Sequence, residues 1–373
     1  MDSICNHNLC TGCSICNYVC PKDAITMRID TYGFLRPFID NSKCVNCNLC
    51  KKKCHINNNI NSINDISKQI CYAGYTKTEQ SKSYSGGISN AISSYVLYNN
   101  GIVYGCVMSI DKGPYHKRIC DIDDLKAMQG SKYVQSDISG ILKKLKEDVE
   151  SGILVLFTGT PCQCAAVHSY INKKYDNLLL VDFVCHGVPS WNLLNENLHY
   201  LSKTKYNNIS DIQFKKDCKY GMYIDYKKGI SIHKSTNSDP YTWAFHSGVT
   251  YRSSCYECRY ASIHRVSDIT LGDFWGYGKL APTLLKTNRK KSLILINTNK
   301  GEFIFEEIKN TIEYEERLKE EAIQGQGQLQ GPFIKGKYAN YFEKLYPIFK
   351  YNGLKFIWYR WRIIQFIKRL IRK

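Results

Sequence analysis

The sequence contains no run of about 18 consecutive apolar residues, the length that a membrane-spanning helix needs, so no such helix is expected. It opens on Met1-Asp2-Ser3-Ile4-Cys5, with neither the basic nor the apolar region of a secretory leader, and a cytoplasmic protein is expected. A G-x-G-x-x-G turn with a following acidic residue is missing, and with it the usual nicotinamide-dinucleotide site. No Ser–His–Asp or Cys–His arrangement calls for nucleophilic catalysis. Acidic residues are in deficit: 33 Asp and Glu against 51 Lys and Arg leave a formal net charge of +18. Such an excess suits nucleic acid, anionic lipid or phosphate-bearing cofactors.

Cysteine is what the chain has in abundance, 18 in 373 residues. In a reducing compartment clustered thiols are metal ligands rather than disulfide partners. Cys10, Cys13, Cys16 and Cys20 follow the spacing C-x2-C-x2-C-x3-C, and Cys44, Cys47, Cys50 and Cys54 repeat it. Three closely spaced thiolates wrap three corners of a 4Fe–4S cube, and in two-cluster ferredoxins the fourth Cys of each run serves the other cube. On that rule Cys10, Cys13, Cys16 and Cys54 hold one cluster, and Cys44, Cys47, Cys50 and Cys20 hold the other. Pro21 follows Cys20 as the pattern expects, whereas His55 stands where a second Pro is usual. The alternative, a pair of zinc sites, fits two full quadruplets in register poorly. Cys5 lies outside both runs and reads as structural or incidental.

Residues 1–58 are thus expected to be a small dicluster ferredoxin-like domain, with Ile56 to Lys68 as linker. Beyond it, strands are expected at Ile102–Ile110, Ile153–Thr158, Leu178–Val184 and Leu293–Asn297, and helices at Ile88–Tyr98, Ile138–Val149 and Asn192–Leu201. The alternation predicts an α/β sheet with helices on its faces, so the fold class as a whole is α+β followed by α/β. Cys106 and Cys120 fall within predicted strands and are assigned to the core. Cys162 and Cys185 each follow a strand, and Cys255 and Cys258 form a C-x2-C. Four such thiols either converge at the carboxyl edge of the sheet as a third cluster site or are small buried residues. Ser85-Gly86-Gly87 ahead of a helix, and Gly130-Ser131-Lys132, read either as plain turns or as an anion cradle for a pyrophosphate.

Six segments in order carry a family resemblance: Ser83-Tyr84-Ser85-Gly86-Gly87, Gly130-Ser131-Lys132-Tyr133-Val134-Gln135-Ser136, Thr158-Gly159-Thr160-Pro161-Cys162-Gln163, Cys185-His186-Gly187-Val188-Pro189, Ser254-Cys255-Tyr256-Glu257-Cys258, and Ser267-Asp268 through Asp273-Phe274-Trp275-Gly276. Together they resemble the family formed by the beta subunits of coenzyme F420 hydrogenases and dehydrogenases, over roughly residues 3 to 300. The resemblance implies a flavin- and 4Fe–4S-binding domain over residues 69–330, with a third cluster on Cys162, Cys185, Cys255 and Cys258. It also implies FAD, with Ser85, Gly86, Gly87, Gly130, Ser131, Lys132 and Tyr133 as candidate contacts. Flavin suits the chemistry, because it exchanges two electrons with a hydride carrier and one with a cluster. Cys164 stands where relatives carry an aliphatic residue and reads as a spare thiol. His186 is expected to be structural, and Asp268 and Asp273 to cap loops.

Residues 335–373 are expected to form a helical basic tail. Seven cations and no acid lie between Tyr351 and Lys373. At helical spacing Phe356, Tyr359, Ile363, Phe366, Ile367 and Leu370 share one face, with Trp358 and Trp361 placed for a lipid boundary. A basic amphipathic helix at an anionic membrane surface is expected, on the inner face of the bilayer. The combined expectation is an iron–sulfur flavoprotein oxidoreductase. It passes electrons between ferredoxin-type clusters and a deazaflavin-like cofactor or organic substrate, with a redox partner protein, and the tail hints at polysaccharide or glycolipid metabolism. An electron-transfer subunit without its own substrate site is the alternative. A zinc-containing nucleic-acid binder is the remote one, and nucleic acid is not an expected partner because basic and aromatic residues do not interleave in an RNA motif.

Overall fold

The computed structural model describes residues 3–58, 64–78, 85–202, 208–216, 219–227, 229–285 and 287–371. Ser83 and Tyr84 of the first family segment, Cys218, and Arg372 and Lys373 lie outside the described residues.

The N-terminal unit is an internal repeat. Helix α1 (Ile15–Tyr18) follows the first thiol run, strands β1 (Ile25–Ile29) and β2 (Leu35–Ile39) form an antiparallel hairpin, and helix α2 (Leu49–Lys52) follows the second run. Matching positions adopt matching backbone. Gly12 and Ser14 in the first run, and Asn46 and Asn48 in the second, all have positive φ, between 54° and 70°. Alternating left-handed residues turn successive backbone N–H groups toward one side, the concave shape that binds anions and iron–sulfur cubes.

The larger unit is built on an eight-stranded sheet. Its strands are β3 (Ile70–Thr76), β4 (Ile102–Ser109), β5 (Gly113–Ile119), β6 (Val155–Gly159), β7 (Leu178–Phe183), β11 (Ile269–Asp273), β12 (Ser292–Ile296) and β13 (Ile312–Glu316), and β8 to β10 belong to a separate sheet. The order is β13-β3-β12-β11-β7-β6-β4-β5, with β4, β6, β7 and β11 parallel and the remaining pairs antiparallel. Period-two alternation splits β6 between two cores. Val155 and Phe157 join Leu145, Val149 and Val167 on one face, and Leu156 joins Ile92, Val96 and Phe305 on the other. Helices α4 (Leu142–Glu150) and α5 (Pro161–Ile171) cover the first face, and α3 (Ile88–Tyr98) and α9 (Asn299–Ile308) cover the second.

A second sheet of β8 (Ile209–Lys216), β9 (Lys219–Tyr226) and β10 (Ser231–Ser235) packs with α6 (Trp191–Ser202) and α7 (Pro240–His246). Helix α8 (Ser253–Tyr256) carries Cys255, and α10 (Lys319–Gly325) follows the last strand. The chain ends in α11 (Lys337–Phe349) and α12 (Tyr351–Ile371).

Phe342, Tyr346, Leu354, Ile357 and Trp358 enter the core of the second sheet, so α11 and the base of α12 are part of that core. Phe356, Tyr359, Ile363, Phe366, Ile367 and Leu370 instead lie exposed on the outer side. Both tryptophans depart from the expected lipid boundary. Trp358 is only 5% exposed, and the Trp361 ring packs 5.2 Å from that of Trp243. Two further expectations need correction. Cys120 lies beyond the end of β5 and is exposed, with its sulfur taking a hydrogen bond from Arg118. Cys106 is half-buried on β4, where it faces a cavity rather than the core.

Candidate functional site

The candidate ligands fall into three sets. Cys16 has Cys13, Cys10 and Cys54 as its charged neighbours, so Cys54 stands with the first run. Cys20, Cys44, Cys47 and Cys50 line a second, small pocket with Pro21. Cys185 has Cys255, Cys162 and Cys258 around it, and all four line one cavity. Cys164 stands apart, fully buried, its thiol donating to the Val181 carbonyl.

Burial raises most of these thiols, and neighbouring thiolates add to it. Cys13 is pushed up to about 12, Cys162 to about 11 and Cys255 to about 12. Four thiolates crowded into a buried site need positive charge between them, which a cube of four irons supplies. Among the described residues no three His, Cys, Asp or Glu side chains converge as a single ion would require. A cube spreads its four ligands over the corners of a larger body, so the donor set and the turned N–H groups fit that group.

Local sequence explains the placement. The segment Thr158–Gln163 ends β6 and starts α5 through a capping box, with Thr160 as cap, Gln163 reaching back to the Thr160 N–H at 3.0 Å, and Pro161 at the first helical position. Cys162 is thereby held at the carboxyl end of a parallel strand, and Cys185 lies just beyond the next strand. The loop carrying Cys258 is tied beneath them by Arg265, which pairs with Asp182 at 2.8 Å and donates to the carbonyls of Tyr260 and Ser262. Both members of that pair are fully buried.

The cavity has a volume of about 1030 Å³, room for a cofactor and a second molecule. Ser85, Gly87, Gly130, Ser131, Lys132 and Tyr133 line it, as do Cys13 of the first set and all four thiols of the third. Gly86 is set back, its N–H donating to the Ser292 hydroxyl. Gly87 takes a φ of 82° and caps α3 without any side-chain hydrogen bond, which leaves first-turn amides for an anion. Lys132 faces the cavity, but its ammonium donates to the carbonyls of Met128 and Gln129 at 2.8 and 3.0 Å. Tyr133 stacks on Phe245 with ring centres 4.3 Å apart. Aromatic rings and first-turn backbone amides thus border one cavity.

His186 also lines the cavity, and burial holds it below its ordinary pKa. Asp268 accepts from the Leu180 N–H and the Thr298 hydroxyl, a bridging role between strands. Asp273 faces the cavity and pairs with Lys215 at 2.7 Å, accepting also from Tyr220 at 2.8 Å.

Three residues take roles here that their local sequence did not give, although His55 stood out where a Pro is usual and Cys5 lay outside both runs. Cys5 donates hydrogen bonds to Cys10 and Cys54, and that contact, ahead of Arg252, brings Cys10 down to about 5. His55 is 1% exposed and hydrogen-bonds both Thr11, at 3.0 Å, and Tyr260, at 2.6 Å. It thus clamps the first unit against the loop after Cys258, and burial drives its pKa down to about 3. Arg252, beside the Ser-Ser-Cys segment, crosses between units to the Cys10 carbonyl at 2.7 Å.

Eight cysteines in two crossed sets, set beside a sheet with a third thiol group at its carboxyl edge, define an iron–sulfur electron-transfer protein of the oxidoreductase type. Residues 9–58 match the 4Fe–4S dicluster domain, and residues 153–321 match the family described as the C terminus of the coenzyme F420 hydrogenase/dehydrogenase beta subunit. Residues 153–321 thus carry the C-terminal region of a coenzyme F420 hydrogenase/dehydrogenase beta subunit, with a 4Fe–4S dicluster domain N-terminal to it. It is 22% identical over 291 residues to the F subunit of the F(420)H(2) dehydrogenase of Methanosarcina mazei, covering 71% of this chain and 75% of that one. A solved F420-reducing [NiFe] hydrogenase complex from Methanosarcina barkeri includes a similar chain, at 17% identity and a TM-score of 0.48, covering 74% of this chain and 91% of the other.

Proposed function

We propose that the chain is an iron–sulfur flavoprotein oxidoreductase that moves electrons between a redox partner protein and a hydride carrier, in the cytoplasm. The observation that carries this reading is one shared cavity. It is bordered by Cys13, by Cys162, Cys185, Cys255 and Cys258, and by the candidate flavin residues Ser85, Gly87, Gly130, Ser131, Lys132 and Tyr133. Clusters carry single electrons and hydride carriers bring pairs; a bound flavin supplies the exchange between the two. Tyr133 and Phe245 offer a flat aromatic wall, and the α3 amides an anion site. The second thiol set, with Cys47 exposed, is the entrance for a partner protein. The hydride acceptor is a deazaflavin-like cofactor or another flat organic substrate that enters the same cavity.

A second reading has support in the relative's designation as one subunit of a dehydrogenase: an electron-transfer subunit whose substrate is turned over elsewhere in a complex. Anaerobic purification with iron, sulfide and flavin analysis separates them. About twelve irons and one flavin per chain support the full scheme; about eight irons and no flavin defeat the flavoprotein reading.

The outer face of α12 supports a location. Exposed Phe356, Ile363, Phe366 and Leu370 run along a segment that has Arg360, Arg362, Lys368 and Arg369 and no acid. This face suits an anionic bilayer surface, and with it a substrate of glycolipid type. Flotation with anionic vesicles tests it: equal recovery of the chain and of its Ile363→Asp, Phe366→Asp variant counts against it.

A further inference from the structure

Arg252 is 1% exposed and lies where the two units meet. Its Nε donates to the Cys10 carbonyl at 2.7 Å, one terminal nitrogen donates to the Gln135 Oε1 at 3.0 Å, and the other donates to the Leu35 carbonyl at 2.8 Å. That last nitrogen also lies 3.9 Å from the Cys10 sulfur. The guanidinium sits 5.1 Å from the Phe34 ring centre. None of these partners is a carboxylate, and among the described residues Arg252 makes no ion pair. Neighbouring Arg36 differs: it is paired with Asp30 at 3.1 Å and with nearby carbonyls.

A buried guanidinium without an anion is strongly disfavoured, so a folded chain that keeps one must set negative charge beside it. The sulfur in reach is that of Cys10. Cys255 follows three residues later, its N–H donating to the Arg252 carbonyl at 2.9 Å. The fit is tight. A Cβ added at Gly12 would come 2.9 Å from the guanidinium and 2.8 Å from the Leu35 carbonyl, and Gly12 already has a φ of 70°. The repeat counterpart of Cys10 is Cys44, whose sulfur lies 3.8 Å from the Asn46 side-chain oxygen. Of the lysines near that second set, Lys22, Lys43 and Lys52 are exposed and Lys51 and Lys53 partly so, and water screens them.

We propose that Arg252 is the counter-charge of the first cluster, raising its reduction potential above that of the second and so directing electrons from the exposed set toward the junction. The inference rests on the dicluster reading. In the step concerned the second cluster loses one electron and the first gains it, with no proton taken up. The first site becomes more negative by one unit beside a fixed cation that water does not screen. The second site, which carries that unit of charge before the step, carries it facing solvent. Arg252 acts through the cluster and is a positioning residue for charge.

The test is an EPR-monitored redox titration of the full chain, purified anaerobically with its clusters. In Arg252→Met one reduction wave should move to lower potential, with the ratio of reduced to oxidised cluster at a fixed potential falling about tenfold, or about 59 mV for one electron. The other dicluster wave should stay in place. Arg252→Lys keeps the charge and should remain close to wild type. Gln135→Glu leaves Arg252 in position and gives it the carboxylate it lacks, so it should move the same wave in the same direction. Full iron content in Arg252→Met with no wave displaced overturns the proposal. Should Arg252→Met fail to assemble, an unmoved wave in Gln135→Glu overturns it. A wild-type chain with no reducible 4Fe–4S signal removes the dicluster reading itself, and the proposal with it.

Discussion

The two thiol runs have the same spacing and the same left-handed backbone positions, yet they sit in opposite surroundings. The loop of the second run, from Val45 to Asn48, is exposed, and its four thiols line a pocket at the surface. The first run is enclosed by Arg36 and Arg252, and by Tyr260 through His55, and Cys13 opens onto the large cavity. Identical ligand chemistry therefore serves two purposes. One set lies at the surface, and the other lies at the junction of the two units, open to the cavity. What distinguishes them is supplied by residues some two hundred positions downstream.

The largest expected effect separates the two sets directly. Cys13→Ser should cost the first cluster, about four irons per chain, and abolish electron delivery from a partner protein to any acceptor in the cavity. Cys47→Ser should also cost about four irons, but a small reduced dye should still reduce the inner site. Iron analysis with stopped-flow reduction by dye and by protein donor checks both, and equal loss of dye reduction in the two variants breaks the comparison.

An intermediate effect is expected from acid, which should strike the inner region. His116 is buried beside the cavity, its Nε2 donating to the Thr158 carbonyl at 2.9 Å, and burial lowers its pKa to about 4. A histidine depressed in the fold takes up its proton more readily when unfolded. Its stabilising contribution is complete above about pH 6.5 and is lost progressively as pH falls toward about 4, at no more than about 1.4 kcal/mol per pH unit. Urea unfolding at pH 7 and pH 5.5 should show that slope in wild type, and a shallower one in His116→Gln. His55→Ala, at the clamp itself, should cost about 1 to 3 kcal/mol at pH 7 by leaving Tyr260 and Thr11 without their partner. The smallest effect belongs to the surface set. Lys43→Glu with Lys52→Glu should change association with a charged protein donor by a few-fold at low salt, and that difference should shrink at about 1 M salt. Stopped-flow measurement across ionic strength reads it.

Much of this was legible in the residues. Ile88–Tyr98 was readable to the residue as α3, and the apolar runs gave the central strands to within two positions. Strand β3, the edge strand β13 and the polar β8–β10 sheet were not, because their burial depends on neighbours far along the chain. The thiol spacing pointed to the crossed sets, since it repeats locally. His55, Cys5 and Arg252 escaped because their roles arise only when the units pack: His55 meets Tyr260 across 205 positions, and Arg252 meets Cys10 across 242. Residue identity carries no trace of such partners. The outer face of α12 was correctly grouped by periodicity, but which face the core would take depended on Trp243 and the second sheet.

That distance of 242 residues between Cys10 and Arg252 has a consequence for how the protein is made. Synthesis proceeds at about 5 to 20 residues per second, so the opening thiols leave the ribosome roughly 12 to 48 s before the arginine that closes over them exists. Throughout that interval the inner sulfurs are as accessible to oxygen as the outer ones. A newborn chain is thus as open to oxidative damage at the junction site as at the outer one, and the difference between them arises only when the later residues arrive.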